Sequence, residues 1–318
     1  MVAEIQVLVT GGAGFIGSHL VDRLVDAGIR VRILDNFATG SQENLADVSS
    51  SVELVTGDVR NPNLTSEVMT DVDTVFHLAA LGSVSRSVED PMMSHQVNVD
   101  GTLNLLLAAH RAGVRRFVYS SSSSVYGDNP TSPKHEGLTT QPISPYGVSK
   151  LAAEMYCRAF WKVYSLETIS LRYFNVFGPR QDPASRYSAV IPRFIDAVRR
   201  GEPPTIFGDG EQSRDFTYVA NVVQANMLAM QAQQGLGQAF NIACGGRVSI
   251  KFLANAVNGL LGKATEPVYS EPRLGDIRDS LADVSSARKF LGYRPLTDFP
   301  EGLRQTVAWY CNGASGEA

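Results

Sequence analysis

A chain of 318 residues with 44% hydrophobic and 19% charged side chains has the make-up of a folded globular protein and the length of one large or two unequal domains. Its 28 basic and 32 acidic residues leave a formal charge of −4, which excludes global attraction to nucleic acid or an anionic membrane, so an anionic ligand must be met by local arginines. Three widely spaced cysteines (Cys157, Cys244, Cys311), histidines without ligand spacing, no long apolar run and no signal peptide before the first strand predict a reduced, cytoplasmic protein with no metal and no membrane span.

Residues 5–9, a short apolar run with β-branched members, predict a buried strand. Gly11, Gly14 and Gly17 follow. The first allows a tight turn, the second a close backbone approach to a pyrophosphate, and the third close packing of helix on strand. Ile16, Leu20, Leu24 and Val25 predict a helix over 15–27 whose first turn presents free N–H groups and a positive dipole end to a diphosphate. Residues 31–34 predict a second strand ending at Asp35, about 20 residues beyond the glycines. A carboxylate there binds a ribose 2′-hydroxyl and repels a 2′-phosphate, so the series points to NAD.

Further strands are predicted over 52–55, 74–80, 116–120 and 166–172, and helices over 97–112 and 145–164. This alternation predicts an α/β fold with a doubly wound, mostly parallel sheet covered by helices on both faces. Ligands of such sheets bind beyond the carboxyl ends of the strands, where Asp58, Ala79, Ala80 and residues 120–124 and 173–175 fall. From about Gly178 prolines punctuate shorter elements, which predicts a smaller mixed C-terminal lobe. The expected division is an NAD-binding domain over 1–177 plus about 215–245, a substrate lobe over 178–214 and 246–312, and a frayed tail over 313–318. Residues 240–243 are expected to return to the first domain as a strand.

Ser144-Pro145 reads as a helix start, with Ser at the N-cap and Pro at the first helical position. Tyr146 and Lys150 then lie one turn apart on one face. A free phenol, with pKa ~10, is a poor base at neutral pH. A nearby ammonium and the positive ring of a nicotinamide would lower that value. A hydroxyl from the serine run 120–124 can hydrogen-bond a substrate alcohol beside the phenol. Tyr-x-x-x-Lys alone is a common spacing. Together with the glycine series it predicts an enzyme that removes a proton from an alcohol while a hydride is transferred.

In residues 10–18, 77–80, 120–127, 144–150, 171–178 (LRYFNVFG), 213–219 (SRDFTYV) and 273–283 the chain resembles the extended short-chain dehydrogenases/reductases, specifically nucleotide-sugar epimerases of the UDP-galactose 4-epimerase type. The similarity runs from Val7 to about Tyr293. It implies a catalytic set of Tyr146, Lys150 and Ser122; a register one residue off would put the hydroxyl on Ser121 or Ser123. It implies NAD contacts at Gly11, Gly14, Phe15, Ile16, Gly17, Asp35, Asn36, Phe37, Gly40, Asp58, Val59, Leu78, Ala79, Ala80, Asn98, Ser120 and Tyr173, although Asn98 could equally cap a helix. Substrate contacts are implied at Ser83, Ser122, Ser123, Asn175, Val190, Phe207, Arg214, Arg273, Asp276 and Ser280. The guanidinium forks of Arg214 and Arg273 suit diphosphate oxygens.

The resemblance also bears on the reaction. Related dehydratases carry an acidic base just before the Tyr-Gly pair, where this chain has Ser123 and Ser124, and 3,5-epimerases of the family use a Cys and a His that are not evident here. The implied reaction is therefore 4-epimerisation of a UDP-hexose by transient oxidation at C4. Ser280, where narrow-pocket relatives have Tyr, and Gly82, where they have Lys, resemble epimerases that accept N-acetylhexosamines. Two alternatives remain: a UDP-uronate epimerase or decarboxylase, with Arg86 for the carboxylate, and a non-catalytic NAD-sensing protein. The family analogy implies a homodimer built on two helices per subunit.

Overall fold

Five consecutive buried residues, Gln6–Thr10, form strand β1, and the pleat sends their side chains to opposite faces. Val7 and Val9 join one apolar core and Leu8 the other. A strand with no solvent side belongs in a parallel sheet covered on both faces. The computed structural model, which describes residues 6–182, 189–271 and 278–313, has six further strands in this sheet: β2 (Arg30–Asp35), β3 (Val52–Thr56), β4 (Thr74–His77), β5 (Arg116–Ser122), β6 (Glu167–Tyr173) and β7 (Gln238–Ile242). All pairings are parallel, in the order β7-β6-β5-β4-β1-β2-β3. The order reverses between β1 and β4, and a crevice opens at such a switch point.

The helices are α1 (Phe15–Asp26), α2 (Pro62–Glu67), α3 (Val84–Glu89), α4 (Pro91–His95), α5 (Gly101–Ala112), α6 (Pro145–Tyr164), α7 (Val190–Arg199), α8 (Val219–Gln231), α9 (Ile250–Leu261), α10 (Ser285–Leu291) and α11 (Phe299–Gly313). Leu20 and Leu24 of α1 and Val222 and Ala229 of α8 cover one face, and Ala287 and Leu291 of α10 pack into the same core. Leu105 and Leu106 of α5 and Ala153, Cys157 and Phe160 of α6 cover the other. A third core lies apart from the sheet, where Phe194 and Ile195 of α7 meet Leu253 and Val257 of α9 and Leu303 and Val307 of α11.

Three elements differ from the sequence reading. The fourth strand ends at His77 rather than residue 80. Helical turns preceding α5 widen over Gln96–Asp100 into a π turn, and Asn98 on that turn faces inward. Strand β5 runs to Ser122 rather than 120, with Ser121 opposite Arg172 and Ser122 opposite Tyr173. The first three serines of the run are therefore strand, held in register by β6.

A buried ion pair fixes that register. Arg172 on β6 reaches Glu154 on α6 through Nη2–Oε1 (2.6 Å) and Nε–Oε2 (3.0 Å), with both side chains at most 5% exposed. Ser121 donates to Glu154 Oε2 (2.7 Å). Arg172 Nη1 also donates to the Tyr126 hydroxyl (2.8 Å), which donates to Asn241 Oδ1 on β7 (2.7 Å). The chain of bonds thus joins three strands to α6.

Close packing of α1 on β1 requires Gly17: a Cβ there would lie 2.0 Å from the Gly11 carbonyl oxygen, which is backbone and cannot swing away. Gly17→Ala should therefore lower stability by about 2 kcal/mol or more in denaturant unfolding. Exposed Gly259, in α9 with nothing near its Cβ position, is the contrasting case, and Gly259→Ala should raise stability by roughly 0.5–1 kcal/mol.

Candidate active site

At the switch point Gly11 adopts φ 71° with its Cβ position only 2.6 Å from the Ala79 nitrogen, so the loops after β1 and β4 touch. Only glycine allows both the left-handed backbone and the contact. Helix α1 starts at Gly14 with no side-chain cap, which leaves its first-turn N–H groups and positive end facing the cleft. Asp35, 7% exposed at the end of β2, accepts from the Ala13 N–H (2.9 Å) and the Phe37 N–H (2.8 Å) and still lines the cleft. Asp58 at the far end accepts from Asn36 Nδ2 (2.9 Å) and from the Arg60 guanidinium, which with smaller backbone and amide hydrogen bonds pulls its carboxyl down to about 2.

Below the glycine turn His77 is buried, with Nδ1 2.7 Å from the Thr10 hydroxyl and Nε2 2.8 Å from that of Thr102. Thr102 donates its own proton to the Asn98 carbonyl, so His77 is protonated on Nε2 and accepts at Nδ1. Burial, with a smaller push from Lys150, holds it neutral at a pKa of about 3. The Ala79 N–H closes the chain on Thr10 Oγ1 (3.3 Å).

The catalytic candidates stand on α6 and at the end of β5. The Ser144 hydroxyl caps the Gly147 N–H (3.1 Å) with Pro145 in the first turn, and the Tyr146 N–H donates to Ser87 Oγ (3.0 Å). A Cβ on Gly147 would come 2.8 Å from the Ser124 carbonyl oxygen, so glycine there lets α6 press against the turn after β5. Burial pushes the Tyr146 phenol above its usual value, and Ser122 beside it partly offsets the push on that hydroxyl. Lys150 does not reach that hydroxyl. Its Nζ donates to the Ser120 carbonyl (2.8 Å) and lies 6.0 Å from the centre of the Tyr146 ring. Burial brings its pKa down to about 7. Ser122, from the expected serine run, therefore joins the ammonium and the nicotinamide ring as a neighbour expected to tune the phenol.

One cleft of about 1060 Å³ is lined by Gly11, Gly14, Phe15, Ile16 and Gly17, by Asp35, Asn36, Asp58 and Val59, and by Leu78, Ala79 and Ala80. It continues past Ser83, Ser120, Ser122, Ser123, Tyr146, Lys150, Tyr173, Asn175, Arg214 and Ser280. The glycine cradle, the uncapped helix end and the buried Asp35 fit a dinucleotide whose 2′ position carries a hydroxyl. Asn175, with φ 34°, donates to the Asp215 carbonyl (3.1 Å) and to Ser280 Oγ (3.3 Å). The Asp215 carboxylate, raised to about 6 by burial, accepts backbone N–H groups of Cys244, Gly245 and Ala282 and so pins the segment bearing Ser280.

Some expected contacts fall elsewhere. Asn98 is buried, with its amide bonded to both backbone groups of Leu81 and to Ser149, so it braces the loop after β4. Phe37 packs into the first core, and Gly40 lies against the Ala13 backbone. Val190 packs on the third core, and Phe207 lies under the Arg193 guanidinium at 5.8 Å. None of these five lines the cleft. Arg273, Asp276 and the tail 314–318 lie outside the described residues. Conversely, Ala38, Thr39, Arg60 and Gln181 line the cleft without a sequence signal for them, and Ser124, expected at this end of the sheet only as part of the serine run, lines it too. For Ser124 the signal was its hydroxyl two residues from Ser122, a spacing that lets one serine bond the other. Among the described residues no cluster could hold a metal ion, and no helix is long and apolar enough to cross a membrane.

Comparison with known proteins agrees with this geometry. The UDP-glucose 4-epimerase of Mycolicibacterium smegmatis is 42% identical over 311 residues, spanning 96% of this chain and 99% of its own. The structure of the UDP-N-acetylglucosamine 4-epimerase from Methanobrevibacter ruminantium, in complex with UDP-N-acetylmuramic acid, superposes with a TM-score of 0.94 at 41% identity, covering 98% of this chain and 99% of that one. That of the Thermotoga maritima UDP-glucose 4-epimerase with UDP-glucose gives 0.93 at 39% identity, covering 98% and 100%. The model of the NAD-dependent epimerase/dehydratase family matches residues 7–243, from the first strand to the residue after the last strand of the sheet, and the chain belongs to that family.

Proposed function

We propose that this protein interconverts UDP-hexoses at C4, accepting UDP-N-acetylglucosamine and UDP-N-acetylgalactosamine as well as UDP-glucose and UDP-galactose. The observation that carries the reading is the meeting of Tyr146, Ser122 and Lys150 on one cleft, with hydroxyls rather than a carboxylate at Ser123 and Ser124. Bound NAD supplies the reversible oxidation at C4. Tyr146 takes the proton of the 4-hydroxyl and returns it when the sugar has turned its other face. Ser122 stabilises the phenolate by hydrogen bonding, and Lys150 adds positive charge close by. Asn175 and Arg214 anchor the diphosphate while the sugar pivots. Ser280, small and adjacent to Asn175, leaves room for a 2-acetamido group.

A second reading, epimerisation or decarboxylation of a UDP-uronate, draws on Arg86, which lines the same cleft. Incubation with a panel of UDP-hexoses, UDP-N-acetylhexosamines and UDP-glucuronate, with products separated by chromatography, decides between them. Conversion of the uronate alone would replace the first reading, and no conversion of any sugar would favour an NAD-binding protein without activity. We further propose a cytoplasmic homodimer. Val148, Met155, Tyr156 and Val163 recur on one exposed face of α6, opposite the face that buries Lys150 and Cys157, and Val88 and Met92 are exposed on α3 and α4. Sedimentation as a monomer would refute the dimer.

Tyr146→Phe should keep the fold and the NAD content while turnover falls by ~10²-fold or more, the scale of a lost general base. Near-normal turnover would remove Tyr146 from the mechanism. Ser280→Tyr should lower kcat/KM for the acetylated sugars relative to the plain hexoses by roughly 10- to 100-fold, through overpacking beside C2. An unchanged ratio would show that Ser280 is no wall.

The cost of burying Lys150 can be measured with nucleotide removed. The unfolded chain keeps this amine protonated up to about pH 10.5, the fold only to about 7, so the fold binds fewer protons across that window and gains stability as pH rises through it. Lys150→Met should thus be more stable than the parent at pH 7, by about 2 kcal/mol or more, with the difference nearly gone at pH 10.5. Thermal unfolding at several pH values checks both the sign and the slope.

A further inference from the structure

The motif over residues 213–219 gives the cleft Arg214, but its Asp215 is fully buried and lies behind the cleft wall. The side chain gathers backbone from two other segments. Oδ1 accepts from the N–H groups of Cys244 (3.1 Å) and Gly245 (3.2 Å), just beyond β7. Oδ2 accepts from those of Gly245 (3.1 Å) and Ala282 (3.1 Å), two residues past Ser280. Asn175 grips the backbone on both sides of the same residue: its Nδ2 donates to the Asp215 carbonyl (3.1 Å), and its carbonyl accepts the Thr217 N–H (3.2 Å). At φ 34° Asn175 has a left-handed backbone that a side-chain-bearing residue keeps only when its surroundings impose it. Its Nδ2 also meets Ser280 Oγ (3.3 Å). Two cleft-lining residues, Asn175 and Ser280, are thus set against each other by one buried carboxylate.

The chemistry of the clamp needs a carboxylate. Ionised, it accepts on both oxygens, whereas an amide accepts on one and donates from the other side. An amide at 215 would turn its NH2 group toward the N–H of either Cys244 or Ala282, and donor facing donor holds nothing. One of the two segments would then be released. We propose that Asp215 is a positioning residue for the substrate: its carboxylate fixes the spacing of Asn175 and Ser280 and thereby sets the affinity for the nucleotide sugar, leaving the dinucleotide site unaffected. This rests on Asn175 and Ser280 being substrate contacts, as in the function proposed above. Gly11, Gly14 and Asp35 stand at the ends of β1 and β2 and the start of α1, outside the clamp.

The test is the affinity of the NAD-loaded Tyr146→Phe protein for UDP-glucose, measured by calorimetry so that no turnover intervenes. Adding Asp215→Asn should weaken UDP-glucose binding roughly tenfold or more at neutral pH, while the NAD content stays that of the parent. The unsubstituted carboxyl gives a second measure that needs no variant at 215. Burial raises it to about 6 against the pull of its backbone bonds, and once protonated one oxygen no longer accepts, so affinity should fall between about pH 7.5 and about pH 5. The groups around it cannot give that sign. Cys244 and Tyr293 are pushed up by burial and stay uncharged, with Asp298 and Arg288 beyond them. Protonation of Lys150 in the cleft, or of His135 beside Asp283, adds positive charge and favours a diphosphate. With Asp215→Asn the affinity should be low and flat over the same range. An affinity within about twofold of the parent, an equal loss of NAD, or a parent whose affinity holds or rises on acidification would each overturn the proposal. A parent that binds no UDP-sugar at any pH would overturn it together with the function on which it rests, which tells the two failures apart.

Discussion

The pairing of Arg172 with Glu154 is the constraint on which the rest of the site depends. Two charges taken out of water cost several kcal/mol each, and they are tolerable only because Ser121, Tyr126 and the two hydrogen bonds between the pair use nearly all their polar positions. Loss of either partner would leave the other charge buried and alone, at roughly 3–5 kcal/mol. The pair does more than hold α6 to β6. Glu154 is one turn beyond Lys150 on the same helix, and Ser121 is one residue before Ser122 on β5. Shifting the pair by a residue would turn Ser122 to the other face of the sheet and separate it from Tyr146.

The electrostatics of the cleft follow from burial more than from charge pairing. His77, Lys150 and Tyr146 are each pushed toward their neutral forms by loss of water. Hydrogen bonds then decide which neutral or charged form is useful. His77 is locked into one tautomer by two threonines, and its chain of bonds ends on the Ala79 N–H at the floor of the dinucleotide site. For Tyr146 the neighbouring Ser122 lowers the cost of ionisation. In the proposed reaction, a phenol that is hard to ionise keeps its proton affinity high enough to accept from an alcohol.

Most of the fold was legible in the sequence because parallel strands buried on both faces read as short apolar runs. The switch-point glycines and Asp35 sit in a fixed order around them. Tyr146 and Lys150 were legible because one helical turn separates them and Ser144-Pro145 marks where that helix begins. What the sequence hid depends on register. Glu154 and Arg172 are 18 residues apart on different elements, and nothing local tells that they face one another. Asn98 was expected to touch NAD on the family resemblance alone, but the π turn before α5 points its amide at Leu81. Val190 packs on the third core and Phe207 follows that core's Ile206, and no periodicity in the proline-broken half could give this placement.

The segment bearing Ser280 reaches the cleft from outside the seven-stranded sheet. It is hung on Asp215 through the Ala282 N–H and on residue 134 through backbone bonds at Leu281 and Asp283, while Tyr146, Ser122 and Lys150 rest on α6 and β5. The wall proposed at Ser280 and the proposed proton chemistry therefore have separate foundations. Substitutions in one can accumulate without disturbing the other. A lineage carrying this architecture can change the sugar that it admits and inherit the reaction intact.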